Sequence, residues 1–493
     1  MEYIIYKENF QKGFSVTKAL KNKKPRNIEE LKKANYPRRT VKEELRKNLM
    51  AKIQRGEELF PGIIGYEETV IPQIENAILA GQDIIFLGER GQAKTRLIRS
   101  LVNLLDEEIP ALAGCEINDH PYQPICKSCR EKIKSLGDRA EIVWLRREHR
   151  YGEKLATPDV TIADLIGEVD PIKVAEGRYL SDELTIHYGL IPRTNRGIFA
   201  INELPDLGEK IQVGLFNLME EGDVQIRGYK VRLPLDIYLV ASANPEDYTN
   251  RGRIITPLKD RYGAEIRTHY PKTLEAEIQI MEQERNKFND DGDFRTYVPP
   301  YLKELIAEIT SLARQSPEIN QRSGVSVRVS IANYESVISN ALRRALRLGE
   351  KEVVPRISDL SYLAASTEGK IELEATDDDR GRHLIENLIA KATLNTFNRY
   401  FDVHQFDSLL AKFKTGWSIE VSEGMKSSIY AEKTREMQLG GPEINGLWEG
   451  LKKLQCDQTP ATIASGLEFI LEGLYLHHRL QKEKLPGKMA YRG

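Results

Sequence analysis

The stretch that most constrains this chain is Asp83 to Arg99, DIIFLGERGQAKTRLIR. An apolar run, Ile84 to Leu87, is cut by Gly88, and Lys94 and Thr95 follow six and seven residues on. Leu97, Ile98 and Leu101 then recur at helical spacing. Strand, glycine-bearing loop and helix in that order match the phosphate-binding pattern G-x-x-x-x-G-K-[ST], with Ala93 where the last glycine is expected. In such a loop the backbone N–H groups from Gly88 through Glu89, Arg90, Gly91, Gln92 and Ala93 to Thr95 cradle phosphate oxygens, helped by the positive end of the next helix. The Lys94 ammonium reaches the β- and γ-phosphates, the Thr95 hydroxyl ligates Mg²⁺, and Arg96 borders the loop. An alanine at position 93 adds one methyl and is tolerated at negative φ.

The flanking sequence places further polar groups near that loop. Leu59 to Ala80 carries a Pro61-Gly62 turn and then Ile63-Ile64-Gly65, ahead of an amphipathic helix that ends at Gly81. Ile64 and Gly65 suit a loop against an adenine ring. GIFAINELPDL, from Gly197, is an apolar strand ending in Asn202-Glu203. In a parallel sheet a strand end is where phosphates bind, so Glu203 is a candidate to polarise a water aimed at the γ-phosphate. A second apolar strand, Asp236 to Ala243, ends at Asn244; this residue suits either an amide that holds the water or a turn before Pro245. GDVQIRGYKVRLP at 222–234 reads as a β-hairpin, and Glu141 to Leu145 as a short strand. Arg261, in PLKDRYG, reads by itself as a solvated or salt-bridged arginine.

The charge balance, 72 Lys+Arg against 74 Asp+Glu, demands neither nucleic acid nor an anionic membrane. No apolar run approaches a membrane span, and the N-terminus lacks a signal-peptide pattern. Four cysteines in 493 residues fit a reducing, cytoplasmic setting. Three of them, Cys115, Cys126 and Cys129, fall in GCEINDHPYQPICKSC; with His120 or His149 they offer a tetrahedral Zn²⁺ site, or they are ordinary thiols. Residues 1–55 hold 16 Lys+Arg against 6 Asp+Glu. They read as a basic helical N-terminal arm, broken near Pro37, that packs on a neighbouring subunit or, less favourably, meets nucleic acid. From Pro271 the pattern is helical. Residues 376–493 are expected to be mostly helical and show no readable chemistry, with His477 and His478 solvated.

Taken in order, these motifs resemble the AAA+ ATPases of the clade with a helix-2 insert and a pre-sensor-1 hairpin, which includes the magnesium chelatase ATPase subunit and the MoxR-type ATPases. The resemblance rests on GERGQAKT at 88–95, DLIGEVDP at 164–171, RGIFAINEL at 196–204, EEGDVQIRGYKVRLP at 220–234, SANPED at 242–247 and PLKDRYG at 257–263. It implies an α/β fold: a P-loop AAA+ αβα parallel-sheet core with β-hairpin insertions at 56–270, an α-helical lid at 271–375 and an α-helical C-terminal region at 376–493. Within the core it puts the helix-2 insert at about 157–195. Lys94 and Thr95 would be the Walker A residues, Asn202 and Glu203 the Walker B pair beside Mg²⁺, Asn244 sensor 1, Arg261 a finger reaching a neighbour's nucleotide, and Arg328 sensor 2. The cofactors implied are ATP and Mg²⁺. The implied assembly is a homo-oligomeric ring, a hexamer, acting on a separate von Willebrand A-domain protein, since this chain has no D-x-S-x-S motif.

The implied function is an ATP-hydrolysing motor that remodels a partner protein or a metal-insertion complex. The alternatives are an authentic tetrapyrrole metal-chelatase motor subunit, a nucleotide-gated scaffold with little turnover, and a DNA-stimulated ATPase. Asn202 is the main departure from the family pattern, which has Asp there. An amide keeps an acceptor oxygen for a Mg²⁺-bound water but loses a charge, at a cost of about 1 kcal/mol or more in a partly wet site.

Overall fold

Five short segments form one parallel sheet: β1 (Ile84–Leu87), β2 (Tyr151–Leu155), β3 (Gly197–Asn202), β4 (Ile237–Ala243) and β5 (Ala264–Arg267). Their spatial order is β5-β1-β4-β3-β2. This is seen in a computed structural model that describes residues 24–493 apart from 171, 173–174, 176–182, 222, 227–228, 245–251, 289–291, 322, 374–377 and 440–444. β1, β3 and β4 are buried almost throughout, as continuous apolar strands covered on both faces must be. Alternate side chains feed two separate cores. Ile84, Phe86, Ile198, Ala200 and Val240 pack in one. Ile85, Leu87, Phe199, Ile201 and Leu239 pack in the other. The result is the expected αβα sandwich.

Strand register positions the site. Leu87 lies opposite Ala243, and Ile201 opposite Ala241. The residues that follow the strands, Gly88, Glu203 and Asn244, therefore emerge level at one edge. The strand expected at Glu141 to Leu145 forms at Ile142–Arg146, but it pairs antiparallel with Glu108–Leu112 and stays outside the sheet. The hairpin is present, Asp223–Ile226 against Tyr229–Arg232. In the insert region, Gly167–Val169 pairs antiparallel with Ile186–Tyr188, and much of the segment between lies outside the described residues.

The basic arm ends differently from expectation. Helices form at Ile28–Lys33 and at α1 (Val41–Arg55), on either side of Pro37. A capping box between Thr40 and Glu43 starts α1. Val41, Leu45 and Leu49 then share a core with Ile74 and Ile78 of α2 (Ile71–Leu79) and with Leu97 and Ile98 of α3 (Lys94–Ser100). The apolar face of α1 thus covers its own sheet and is not left for a neighbour. Both carboxylate oxygens of Glu44 accept hydrogen bonds from Arg150, at 2.7 Å each, in a buried ion pair. Arg150 also donates to the Arg196 carbonyl at 2.8 Å. A further helix, α4 (Lys127–Leu136), lies between α3 and β2 in the chain.

The lid and the C-terminal region share one core rather than separating near residue 375. α5 (Leu274–Glu284), α6 (Pro300–Gln315), α7 (Arg328–Leu348), α8 (Asp378–Tyr400) and α9 (Pro460–Leu476) bury Met281, Leu305, Val337, Phe397 and Phe469 together. Tyr301 stacks on Phe469 at 4.2 Å, and its hydroxyl donates to the Ser465 carbonyl at 2.9 Å. The chain end is not helical: Gln481–Leu485 and Lys488–Arg492 form an antiparallel ribbon joined by Ser418–Val421. His477 is not simply solvated, since its Nε2 lies 2.7 Å from Asn398 Oδ1. Among the described residues no helix is long and apolar enough to cross a membrane.

Candidate nucleotide site

The loop after β1 is held by its neighbours on both sides. Gly88 donates to the Ala243 carbonyl at 3.2 Å, and a Cβ there would stand 1.9 Å from Thr268 Oγ1. Gly91 has φ +76°, and a Cβ on it would meet Ser326 Oγ of the lid at 1.9 Å. Only glycine fits so close an approach. Ala93 overturns the expected negative φ: it sits at φ 55°, ψ 15°, in the left-handed region. The glycine of the general pattern serves that conformation, and alanine adopts it at a cost of about 1–2 kcal/mol.

Lys94 opens α3 and is buried. Its ammonium donates to Asn244 Oδ1 at 2.6 Å, to the Glu89 carbonyl at 2.9 Å and to the Gly88 carbonyl. The Asn244 amide in turn donates to Glu203 Oε2 at 2.7 Å. The lysine, the strand-end asparagine and the strand-end glutamate are therefore one hydrogen-bonded chain at the ends of β1, β4 and β3. Glu203 itself takes φ 56°, ψ 47°, and its N–H donates to Ser242 Oγ at 3.3 Å.

These groups face a cavity of about 970 Å³. Residues 90–96 line it together with Glu203, Asn244 and Arg328; Gly88 and Glu89 are not among the lining residues. Thr95 is half-buried in that lining. Arg328 arrives from the lid as the first residue of α7. Arg261 does not join the lining; it ends the helix Thr256–Arg261, pairs with Asp260 at 3.0 Å and covers the Phe216 ring at 5.0 Å. Ile64 and Gly65 are not among the lining residues either. Their neighbour Tyr66 makes the contact instead, bonding the carbonyls of Gln92 at 2.9 Å and His269 at 2.8 Å.

Asn202 lies behind the cavity lining. Ser242 Oγ donates to its oxygen at 3.2 Å, and its amide donates to Glu153 Oε1 at 2.6 Å. Sequence reasoning missed Glu153, because β2 is a half-exposed edge strand, YGEKL, with no apolar signature. Arg99 donates two bonds to the Glu153 carboxylate, at 2.8 and 2.9 Å, and the Tyr151 hydroxyl donates a third to it at 2.9 Å. Burial works to raise the Glu153 pKa, but the bonds from Arg99, Tyr151 and Asn202 outweigh it and hold the group below the ordinary carboxylate value. An ionised carboxylate therefore stands directly beside Asn202.

The cysteine cluster forms, with a different fourth member. One atom each from Cys115, Asp119, Cys126 and Cys129 lies within 4.8 Å of the others. His120 is not in the group: its Nδ1 accepts from the Tyr122 N–H at 3.0 Å and its ring lies 5.2 Å from that of Tyr122. Burial, and then the charges of Arg196 and Arg38, depress its pKa to about 3, so it stays neutral. His149 is exposed.

No family model matches the sequence. Among curated proteins the chain is 27% identical over 319 residues to the magnesium-chelatase subunit ChlI of Nostoc sp. (strain PCC 7120), an alignment covering 61% of this chain and 80% of that one. ChlI of Synechocystis sp. is 26% identical over 327 residues, covering 61% and 84%. The fold is an αβα sandwich on a parallel sheet, and the chain resembles ChlI. Two solved structures are also similar. A putative ATPase from Cytophaga hutchinsonii matches with TM-score 0.31 and 18% identity, covering 73% of this chain and 98% of that one. A complex of subunits BchI and BchD of magnesium chelatase matches with TM-score 0.34 and 19% identity, covering 65% and 98%.

Proposed function

We propose that this ChlI-like chain binds and hydrolyses Mg-ATP as a ring-forming AAA+ motor that remodels a separate partner. The observation that carries the reading is the Lys94–Asn244–Glu203 hydrogen-bonded chain facing one cavity with the lid's Arg328. A γ-phosphate is the natural competitor for the Lys94 ammonium, which the loop carbonyls and Asn244 already bond. Thr95 would hold Mg²⁺ through its hydroxyl, and Glu203 would take the proton of the attacking water while Asn244 fixes the direction of attack. Arg261 lies outside its own cavity, which suits a role on a neighbour's nucleotide in a hexamer. A trans arginine supplies about 10³–10⁵ in rate, so assembly would control turnover.

Glu153 answers the departure at Asn202. Its ionised carboxylate, bonded to the Asn202 amide, supplies negative charge near the position where the family pattern has Asp. The partner would be a separate chain of the von Willebrand A type, working with this one much as the BchI structure is recorded with BchD. A nucleotide-gated scaffold with little turnover is the second reading, favoured by the amide at position 202.

Mg²⁺-dependent ATP hydrolysis against protein concentration, for the wild type, Glu203→Gln and Arg261→Ala, tests the proposal. The expected result is turnover that rises cooperatively with concentration and falls by about 100-fold or more in both variants while ATP binding persists. Turnover in the wild type no faster than in Glu203→Gln, at every concentration, would establish the scaffold reading instead.

A further inference from the structure

We propose that Cys115, Asp119, Cys126 and Cys129 hold one Zn²⁺ ion that fastens α4 to the loop before it. Tetrahedral zinc–thiolate geometry, with Zn–S near 2.3 Å, sets its ligand atoms about 3.8 Å apart. The four atoms here lie within 4.8 Å of one another, so closing on an ion takes movements of less than about 1 Å. Three soft thiolates and one carboxylate suit Zn²⁺ rather than a hard cation.

Three further observations point to an ion. First, amide donors are already aimed at sulfur. The Cys129 N–H donates to Cys126 Sγ at 3.3 Å, and the Asp119 N–H to Cys115 Sγ at 3.3 Å. Such outer bonds orient and stabilise metal-bound thiolates. Second, Asp119 is fully buried. One of its oxygens accepts from the Cys126 N–H at 3.0 Å, and the other, Oδ1, is buried with no hydrogen-bond partner. A buried carboxylate oxygen left in that condition is costly, and a cation removes the cost. Third, the cluster holds three thiols around the carboxylate. A Cys126–Cys129 disulfide would leave Cys115 and Asp119 facing each other with nothing between them.

The ion would brace two neighbouring segments. The ligand loop and the strand before it are tied to the approach to β3: the Asn195 amide donates to the Ile117 carbonyl at 2.9 Å, and Arg196 to the Pro110 carbonyl at 2.7 Å. The N-terminus of α4 is tied to the insert: the Lys127 N–H donates to Glu183 Oε1 at 2.6 Å, and Arg130 pairs with Glu183 at 3.0 Å. The role is structural, since the cluster shares no residue with the nucleotide cavity.

The test uses the full chain purified under reducing conditions without chelator. Elemental analysis is expected to find about one zinc per chain, and Co²⁺ exchanged into the chelated protein to give the intense visible bands of a tetrahedral thiolate site. Asp119→Asn and Cys129→Ser should lose the metal, and His120→Ala should keep it. Near-ultraviolet circular dichroism of the wild type during chelator titration reads metal loss without any substitution, which covers the case of a variant that fails to fold. Reduced wild-type protein without zinc and without a Co²⁺ spectrum would overturn the proposal. So would metal retained in Cys129→Ser, or metal lost in His120→Ala and kept in Asp119→Asn.

Discussion

The nucleotide cavity and the thiol pocket are both polar clusters against one sheet, but their residues arrive by different routes. Glu203 and Asn244 follow directly on β3 and β4, and Lys94 ends the short loop that Gly88 opens after β1; strand register brings the three strand ends level. Cys115, Asp119 and Cys126 sit on an irregular loop between the strand Glu108–Leu112 and α4. Strand ends convert sequence spacing into spatial position with little freedom, because a side chain's direction follows from the pleat. A loop does not: Asp119 and His120 are neighbours in sequence, yet only Asp119 faces the thiols. A turn signature marks where a loop bends, not which of two adjacent side chains points inward.

That contrast can be broken or sharpened, beginning with the largest effect. Lys94→Ala removes the cation at the centre of the first cluster. Fluorescent-nucleotide titration should show ATP binding lost, while metal content stays that of the wild type. Glu203→Gln should keep binding and lower turnover by about 10²–10⁴-fold, the usual worth of a positioned general base. A loss of metal in either variant would show that the two clusters are one unit.

Glu44→Gln removes one partner of a buried ion pair outside both clusters. It should cost about 3–5 kcal/mol in denaturant unfolding, because Arg150 is left charged and buried. Smaller again is the exchange around Asn202. Glu153→Gln should lower Mg²⁺-dependent turnover by about ten-fold, and Asn202→Asp should restore part of it in the double variant, a coupling that steady-state kinetics on the four proteins would read. The smallest effect belongs to the loop itself. Ala93→Gly relieves a left-handed alanine and should stabilise the chain by about 0.5–1 kcal/mol in thermal unfolding, with ATP affinity little changed.

The strands and the phosphate loop were legible because each carries its own signal: a continuous apolar run, then glycine, then a helical period. The parts that were not legible lacked such a signal. β2 is an edge strand of mixed character, so Glu153 had no strand end to be read from. Val41, Leu45 and Leu49 form a narrow stripe in a segment so basic that its charges, not its apolar face, dominated the reading. Tyr66 was hidden beside the apolar pair that drew attention, and its role rests on a hydroxyl reaching Gln92 and His269, far apart in the chain. Ala93 could be located but not its φ, since nothing in the sequence distinguishes an alanine forced left-handed from one at ease.

The stacking of Tyr301 on Phe469 has a mechanical side. One core runs from Met281 to Tyr491, so among the described residues the lid is packed continuously with the C-terminal helices. Under the proposed motor reading, a rotation of Arg328 and Ser326 at a bound nucleotide would be handed to the whole helical half. The C-terminal ribbon at Gln481–Leu485 and Lys488–Arg492, whose Tyr491 lies in that core, would move with it.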